Sequence, residues 1–226
     1  PTLERMTTPG AVEQLIVARL DQLPEDSRAL VQVAAAIGQM FEQQLLSAVD
    51  PLHHELKPCL DELVAAALLE PDVQSGSGVY RFKQPLVRDV IYSNLLSPQR
   101  RSLHGAIALA MEQLYAERLE EYQALLAHHY YQAEQWDQAL RHLINAARAA
   151  QGRYANTEAL ALYQQACAIA LLCETPPERS LMVDLYENMG DVQALTGSYE
   201  SARSTYQRAL ARFSASSDQA YATAQG

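Results

Sequence analysis

A chain of 226 residues with a net charge of −10 and a pI near 5.0 does not suit a protein that binds nucleic acid or anionic membrane through its bulk charge, because both surfaces repel an acidic protein. Hydrophobic residues make up 49% of the chain, which is ample for a core. Alanine and leucine abound beside three phenylalanines and one tryptophan, so we expect a mainly α protein.

The cysteines and the apolar runs indicate a cytoplasmic protein. Cys59, Cys167 and Cys173 show no C-x-x-C spacing, as expected for thiols in a reducing compartment. No apolar run approaches the ~20 residues that span a bilayer, and no signal peptide is visible. The chain starts at Pro1 without a methionine and ends in SSDQAYATAQG, which resembles the beginning of another helix, so we expect a fragment of a longer protein, truncated at its C-terminal end.

The first half begins with short predicted helices. Apolar residues at helical spacing between Val12 and Leu23 predict the first one, and Pro24 ends it and starts the next. Gly38 is a suitable C-cap for this second helix. Phe41 is then predicted to anchor a short helix with Leu45, Leu46 and Val49, and Pro58 opens another.

A hairpin follows these helices. Glu70–Lys83 contains an alternating strand and has Gly76 and Gly78 at its tip. Helices followed by such a hairpin are typical of a winged helix. We assign residues 1–97 to a degenerate winged-helix domain with a small β-hairpin wing, and residues 98–118 to a connecting helix.

The third helix of a winged helix enters the major groove in DNA-binding versions. Here it is predicted over Pro58–Leu69, and its only neighbouring cation is Lys57. The carboxylates around it are Glu55, Asp61, Glu62 and Glu70. Because phosphate contacts dominate DNA affinity, we expect a structural winged helix and no nucleic-acid partner.

Three blocks of this first half resemble a known family. F-K-Q-P-L-V-R-D-V-I-Y-x-x-L-L, followed by R-R-x-L-H, lies within Val79–His104, and two shorter blocks are Val17–Pro24 and Val33–Phe41. They resemble the winged-helix region of STAND ATPases (signal-transduction ATPases with numerous domains) in the group that includes class III adenylate/guanylate cyclases and multidomain regulators. The resemblance implies an upstream nucleotide-binding module in cis, which would bind ATP or ADP with Mg²⁺.

Gln84 departs from that resemblance. In this group the position is usually histidine, and winged-helix histidines of related switch ATPases contact bound ADP. Gln84 keeps a hydrogen-bond donor but has no protonatable charge, which weakens a nucleotide-sensing role. The chain also has only Lys57 and Lys83, and neither follows glycine, so it contains no phosphate-binding P-loop and no cofactor of its own is expected.

The second half, residues 119–226, is predicted to be a right-handed helical array that resembles tetratricopeptide repeats. One copy of the pattern has Met189-Gly190 on its first helix, with Ala202, Tyr206 and Ala209 on its second. Gln193 replaces an expected aromatic residue. A weaker copy is Leu126, Ala127, Tyr130, Ala139, Leu143 and Ala146, and a partial one is Ala159, Tyr163 and Ala166. The predicted helices are Leu119–Ala133, Asp137–Gln151, Asn156–Leu172, Glu178–Leu195 and Tyr199–Phe213.

Stacked helix pairs of this kind present a concave binding face. Asp184, Glu187 and Asp191 share one side of a predicted helix, and Glu121, His128 and Tyr131 take matching positions in the weaker copy. We predict that these six residues contribute to a groove for a basic or mixed peptide. The simpler alternative is a charged, solvated stripe.

Recognisable catalytic and metal-binding patterns are missing from the sequence. His128 and His129 are adjacent on a predicted helix and would point ~100° apart, so we expect no shared metal ion. We therefore predict a non-enzymatic regulatory and protein-interaction fragment of a STAND ATPase, whose parent would be an ATPase or nucleotide cyclase. The alternatives are the interaction arm of a STAND-type transcriptional regulator and a stand-alone tetratricopeptide adaptor.

Overall fold

The computed structural model describes the backbone of residues 9–49 and 56–224, and the side chains of residues 13–49 and 56–211. The described chain is mainly helical with a small antiparallel sheet, so the prediction of a mainly α protein is confirmed. It divides into two compact units, with the boundary between Leu114 and Tyr115.

The first unit combines helices with a three-stranded sheet. Its elements in chain order are α1 (Pro9–Asp21), α2 (Glu25–Ile37), β1 (Met40–Glu42), α3 (Gln43–Val49), α4 (Leu56–Ala65), β2 (Leu69–Pro71), β3 (Val79–Phe82), α5 (Pro85–Ser93) and α6 (Ser97–Leu114). The strand order is β1-β3-β2, and both pairings are antiparallel. The central strand β3 therefore pairs with β1, which precedes α3, and with β2, the other strand of its hairpin.

The hairpin predicted over Glu70–Lys83 is present as β2 and β3. The predicted short helix with Leu45, Leu46 and Val49 is present as α3, but the prediction that Phe41 belongs to it is wrong, because Phe41 lies in β1 opposite Tyr80. The Phe41 ring is 6.1 Å from that of Phe82 and 6.3 Å from that of Tyr80. Burial of Phe41 against two aromatic rings of the sheet accounts for the strand.

Helix α2 is the centre of the first unit and packs against α3, α4, α5 and α6. Leu30, Val31 and Ala34 are fully buried on it. Arg28, also on α2, donates hydrogen bonds of 3.0–3.1 Å to the backbone carbonyls of Leu20, Asp21 and Leu23. These carbonyls lie in the last turn of α1 and just after it, and the Leu20 carbonyl also accepts the backbone N–H of Leu23, so the guanidinium of Arg28 caps the end of that helix.

A cluster of side chains joins α5 to α6. Tyr92 Oη lies 2.8 Å from Nε2 of the buried His104, and the guanidinium groups of Arg88 and Arg100 lie 4.9 and 5.5 Å from the centre of the Tyr92 ring. Arg88 Nε also donates to the carbonyl of Ala35 on α2. This cluster and the packing of α6 on α2 and α3 place residues 97–114 within the first unit. A short 3₁₀ helix, Ala116–Arg118, begins the second.

The second unit is entirely helical in its described part. It contains α7 (Leu119–Gln132), α8 (Trp136–Gly152), α9 (Asn156–Ile169), α10 (Arg179–Leu195) and α11 (Tyr199–Ala224). These helices correspond to the five that the sequence predicts, although α11 runs beyond Phe213. Helix α8 packs along both α7 and α9, and α10 packs along α11 and also contacts α9.

Three turns of the second unit share one construction. Each has three residues, and the middle one has a left-handed backbone: Glu134 (φ 58°), Tyr154 (φ 60°) and Gly197 (φ 80°). The residue after it donates a backbone hydrogen bond to a carbonyl in the last turn of the preceding helix, as Ala155 does to Ala150. Such a turn reverses the chain within three residues, so the helices it joins lie side by side.

Candidate functional site

The helix pairs of the second unit are built on a common register. A small buried residue on the first helix stands sixteen positions before a large buried or half-buried residue on the second. The pairs are Ala127 and Leu143, Ala147 and Tyr163, and Gly190 and Tyr206. Helix α8 takes part in the first two pairs, as the second helix of one and the first helix of the other. This double use explains why the spacing of the predicted repeat is irregular.

Buried polar pairs hold the same helices together. His142 Nδ1 on α8 lies 2.9 Å from Gln123 Oε1 on α7, and Thr205 on α11 donates a 2.8 Å hydrogen bond to Gln193 Oε1 on α10. Gln193 is the residue that replaces the expected aromatic side chain. Its amide is buried and accepts the hydroxyl of Thr205, so a polar contact takes the place of an aromatic one.

A cleft of about 440 Å³ opens between α7 and α9, with α8 as its floor. Ala127, Leu143 and Ile169 form the buried base of the cleft. Its sides are Ala124, His128 and Tyr131 from α7 and Leu162, Gln165 and Ala168 from α9. Because alanines stand on both sides, the helices leave a groove that an apolar side chain can enter. No charged residue is among those that line the cleft within the described part of the chain.

The structure brings together two of the three binding residues predicted on α7. His128 and Tyr131 both line the cleft, and the ring of Tyr131, which is 42% exposed, packs edge-on against Trp136 at 5.3 Å. Glu121 lies nearer the start of α7, where it is exposed and 3.9 Å from Arg118. The predicted residues therefore span an apolar section and an acidic end of α7.

The three acidic residues predicted on α10 lie elsewhere. Asp184 forms an ion pair of 3.0 Å with Arg148 of α8, and Asp191 accepts a 2.6 Å hydrogen bond from the hydroxyl of Tyr206. Glu187 is exposed. The hydrogen bond to Asp191, together with burial and the negative charge of Asp191, raises the pKa of Tyr206 to about 12. Two of the three carboxylates are thus engaged within the unit.

None of the three acidic residues predicted on α10 is among the residues that line the cleft between α7 and α9. Arg148, the partner of Asp184, lines another cleft, of about 410 Å³, with Gln151 of α8 and Asn188 of α10. Of the α7 set, His128 and Tyr131 line the cleft between α7 and α9. Helix α9 lies between α8 and α10 in the chain, and α10 contacts both of them. The structure therefore does not join Asp184, Glu187 and Asp191 with His128 and Tyr131.

Sequence reasoning missed most of the cleft lining. Leu143, Leu162, Gln165 and Ile169 were not predicted, and neither was the pairing of Arg148 with Asp184. One signal could have found the first group. The motif residues of α8 and α9 repeat at an interval of twenty, from Ala139 to Ala159, which equals one helix plus one three-residue turn.

Gln84 lies in the first unit, immediately before α5. Its backbone is extended (φ −138°, ψ 134°), its side chain is exposed, and it makes no side-chain cap to the helix. Pro85 follows at the first helical position, where the missing N–H has no cost. The amide of Gln84 is thus available at the surface.

The described residues contain no cluster of three or more His, Cys, Asp or Glu side chains arranged to hold a metal ion. Every helix in this part of the chain is too short or too polar to cross a lipid bilayer. Comparisons with protein-family models, curated proteins and solved structures find no match for this chain.

Proposed function

We propose that this chain is a non-catalytic regulatory and protein-interaction segment of a STAND-type signalling protein. In this proposal the first unit is a winged helix that docks on a nucleotide-binding module in the same protein. The second unit is a tetratricopeptide-like array that binds a peptide in the cleft between α7 and α9. The parent would work in the cytoplasm, with ATP or ADP and Mg²⁺ held by the module and not by this chain.

The order of elements supports the winged-helix part. Helix α2, strand β1, helices α3 and α4 and the β2–β3 hairpin follow one another as in a winged helix, with β1 added to the hairpin on the β3 side. The third helix of this set, α4, exposes Lys57 beside Asp61. This charge balance favours docking on protein over docking on DNA.

The cleft between α7 and α9 carries the peptide-binding part. Its base is apolar and consists of Ala127, Leu143 and Ile169, and its two sides carry exposed alanines. Because no large residue of the described chain blocks the base, a side chain of the partner can be buried there without moving one. The exposed Glu121 near the start of α7 favours a positive charge on the peptide at that end.

Selection from a displayed library of random peptides against the whole chain tests the cleft. We expect the selected peptides to share an apolar anchor and to lose at least ~10-fold in affinity for Ala168→Arg, because the new side chain fills the groove. Ala106→Arg makes the same change at an exposed position on α6 and should bind them unchanged. Equal binding to both variants would contradict the cleft assignment.

The native reading frame upstream tests the regulatory part. A Gly-x-x-x-x-Gly-Lys-Ser/Thr segment before this region would support a switch that the first unit helps to control. A native protein that starts near Pro1 would count against it and would favour a stand-alone adaptor. The two tests are independent, so the regulatory part and the peptide cleft can fail separately.

A further inference from the structure

A further cleft, of about 710 Å³, lies in the first unit between α1 and α5. Helix α1 contributes one stripe of its surface to it, from Glu13 through Val17 to Asp21. Helix α5 and the residue that caps its C-terminus contribute a matching stripe, from Leu86 through Val90 to Asn94. Eight residues of helix span ~12 Å, so the cleft follows both helices for about two turns.

The floor of this cleft is apolar and its rim is acidic. Val17, Ala18, Leu86 and Val90 form the apolar part, and Leu86 is 42% exposed. The carboxylates on the rim are Glu13, Asp21 and Asp89. Asp89 forms an ion pair of 3.1 Å with Arg88, while Glu13 and Asp21 are exposed. Among the residues that the structure describes, no lysine or arginine lines the cleft.

We propose that the α1–α5 cleft is a docking surface for a basic amphipathic helix of a partner protein. An apolar stripe on that helix would cover Val17, Leu86 and Val90, and lysines or arginines on its flanks would meet Glu13 and Asp21. This surface is separate from the α7–α9 cleft, and the inference does not depend on the peptide-binding part of the proposed function.

The chemistry of the floor favours a helix over an extended segment. A helix satisfies its own backbone hydrogen bonds, whereas an extended chain would set N–H and C=O groups against Val17 and Leu86 without partners. The acidic rim repels anionic lipid, which disfavours a membrane as the occupant. A second copy of this chain is also a poor match, because it carries 27 acidic against 17 basic residues.

A fluorescein-labelled helical peptide of ~16 residues, with leucines on one face and lysines on both flanks, is the probe. Anisotropy titration with the whole chain should show binding that weakens as salt rises from about 0.05 to 0.5 M. Glu13→Gln combined with Asp21→Gln should weaken it at least ~5-fold, since each lost rim charge costs a few-fold. Leu86→Ser should weaken binding as well, and circular dichroism checks that this variant is folded.

The controls separate a docking surface from bulk charge attraction. Glu174→Gln combined with Glu200→Gln removes the same charge from exposed positions of the second unit and should leave affinity within ~2-fold. A peptide with the same lysines but serines for leucines should not bind. The proposal is overturned if the rim variant and the control variant behave alike, or if the serine peptide binds equally well. A dimer of the chain that Leu86→Ser dissociates would also overturn it, because the occupant would then be a second copy.

Discussion

The ring of Tyr206 on α11 lies directly on Gly190 of α10. A Cβ atom at Gly190 would be 2.5 Å from Cε1 of that ring, which is closer than any real contact of such atoms. Glycine is therefore required here by the approach of two helices and not by its backbone freedom. The hydroxyl of Tyr206 donates a hydrogen bond to Asp191, the next residue on α10, so the side chain is held both by packing on Gly190 and by this hydrogen bond.

Gly190→Ala should destabilise the second unit even though alanine is the better helix former. We expect a loss of about 1–3 kcal/mol, because the methyl group forces the Tyr206 ring and α11 outward. Gly152→Ala is the matched control, since nothing lies within 4 Å of an added Cβ there, and it should be neutral or gain up to about 1 kcal/mol. Urea unfolding measures both, and equal effects would contradict the close packing.

Two substitutions in the left-handed turns should change the stability of the protein in opposite directions. Tyr154→Gly should stabilise the chain by up to about 1 kcal/mol, because its left-handed backbone strains any side chain and its own is 87% exposed. Gly197→Ala should cost about 1 kcal/mol for the same reason, since its Cβ would meet open space. Melting temperatures of the two variants check the prediction, which fails if both shift in the same direction.

Because Gln193 and Thr205 are hydrogen-bonded to each other, we expect substitutions at the two positions to have non-additive effects on the free energy of unfolding. Thr205→Val removes the hydroxyl that donates to the buried Oε1 of Gln193, and the loss of that hydrogen bond should lower the free energy of unfolding by about 1–3 kcal/mol. Adding Gln193→Leu should recover part of that loss, since both polar groups are then gone. A double-mutant cycle in urea gives the coupling energy. Strict additivity would show that the hydrogen bond contributes nothing specific.

The raised pKa values of Tyr163 and Tyr206 lead us to expect that the folded protein loses stability at alkaline pH. Burial raises the pKa of Tyr163 to about 12, and the contact with Asp191 gives Tyr206 a pKa of about 12, against about 10 for an exposed phenol. Above pH 10 the unfolded state releases protons that the folded state keeps. Their stabilising contribution is therefore complete below pH 10 and is lost as pH rises from 10 to 12.

The variant Tyr163→Phe tests this pH dependence. It removes the 3.0 Å hydrogen bond to Gln151, so it should lower stability at pH 8. It should also reduce the further loss between pH 8 and pH 11.5, because one titrating group is gone. Tyr199→Phe, at a position that is 71% exposed, is the control. An unchanged pH profile in Tyr163→Phe would contradict the assignment.

Much of the fold followed from local signals in the sequence. Pro24, Gly76 and Gly197 mark chain reversals by their backbone chemistry alone, and the helices of the second unit are long enough for their apolar period to be read. Strand β1 was missed because three residues are too few to show alternation. Phe41 is in a strand because of Tyr80 and Phe82, which are distant in sequence.

The site was predicted only in part, and the reason is geometric. His128 and Tyr131 were found because the pattern on α7 places them on one side of that helix. Asp184 occupies a comparable position in its own copy of the pattern, but α9, which packs on α8 as a third helix, stands between the copies. A local sequence pattern shows which side of a helix a residue lies on, but it does not show how many helices separate one repeat from the next.

The double use of α8 has a consequence for how the second unit opens. Opening α7 or α9 breaks one interface with α8, whereas releasing α8 breaks both. The buried amides of α8, such as those near Leu140 and Ile144, should therefore exchange their hydrogens with solvent only through cooperative opening of all three helices. Helices α10 and α11 share their largest interface with each other, so they should exchange as a second cooperative group, at a rate that changes in α8 affect little.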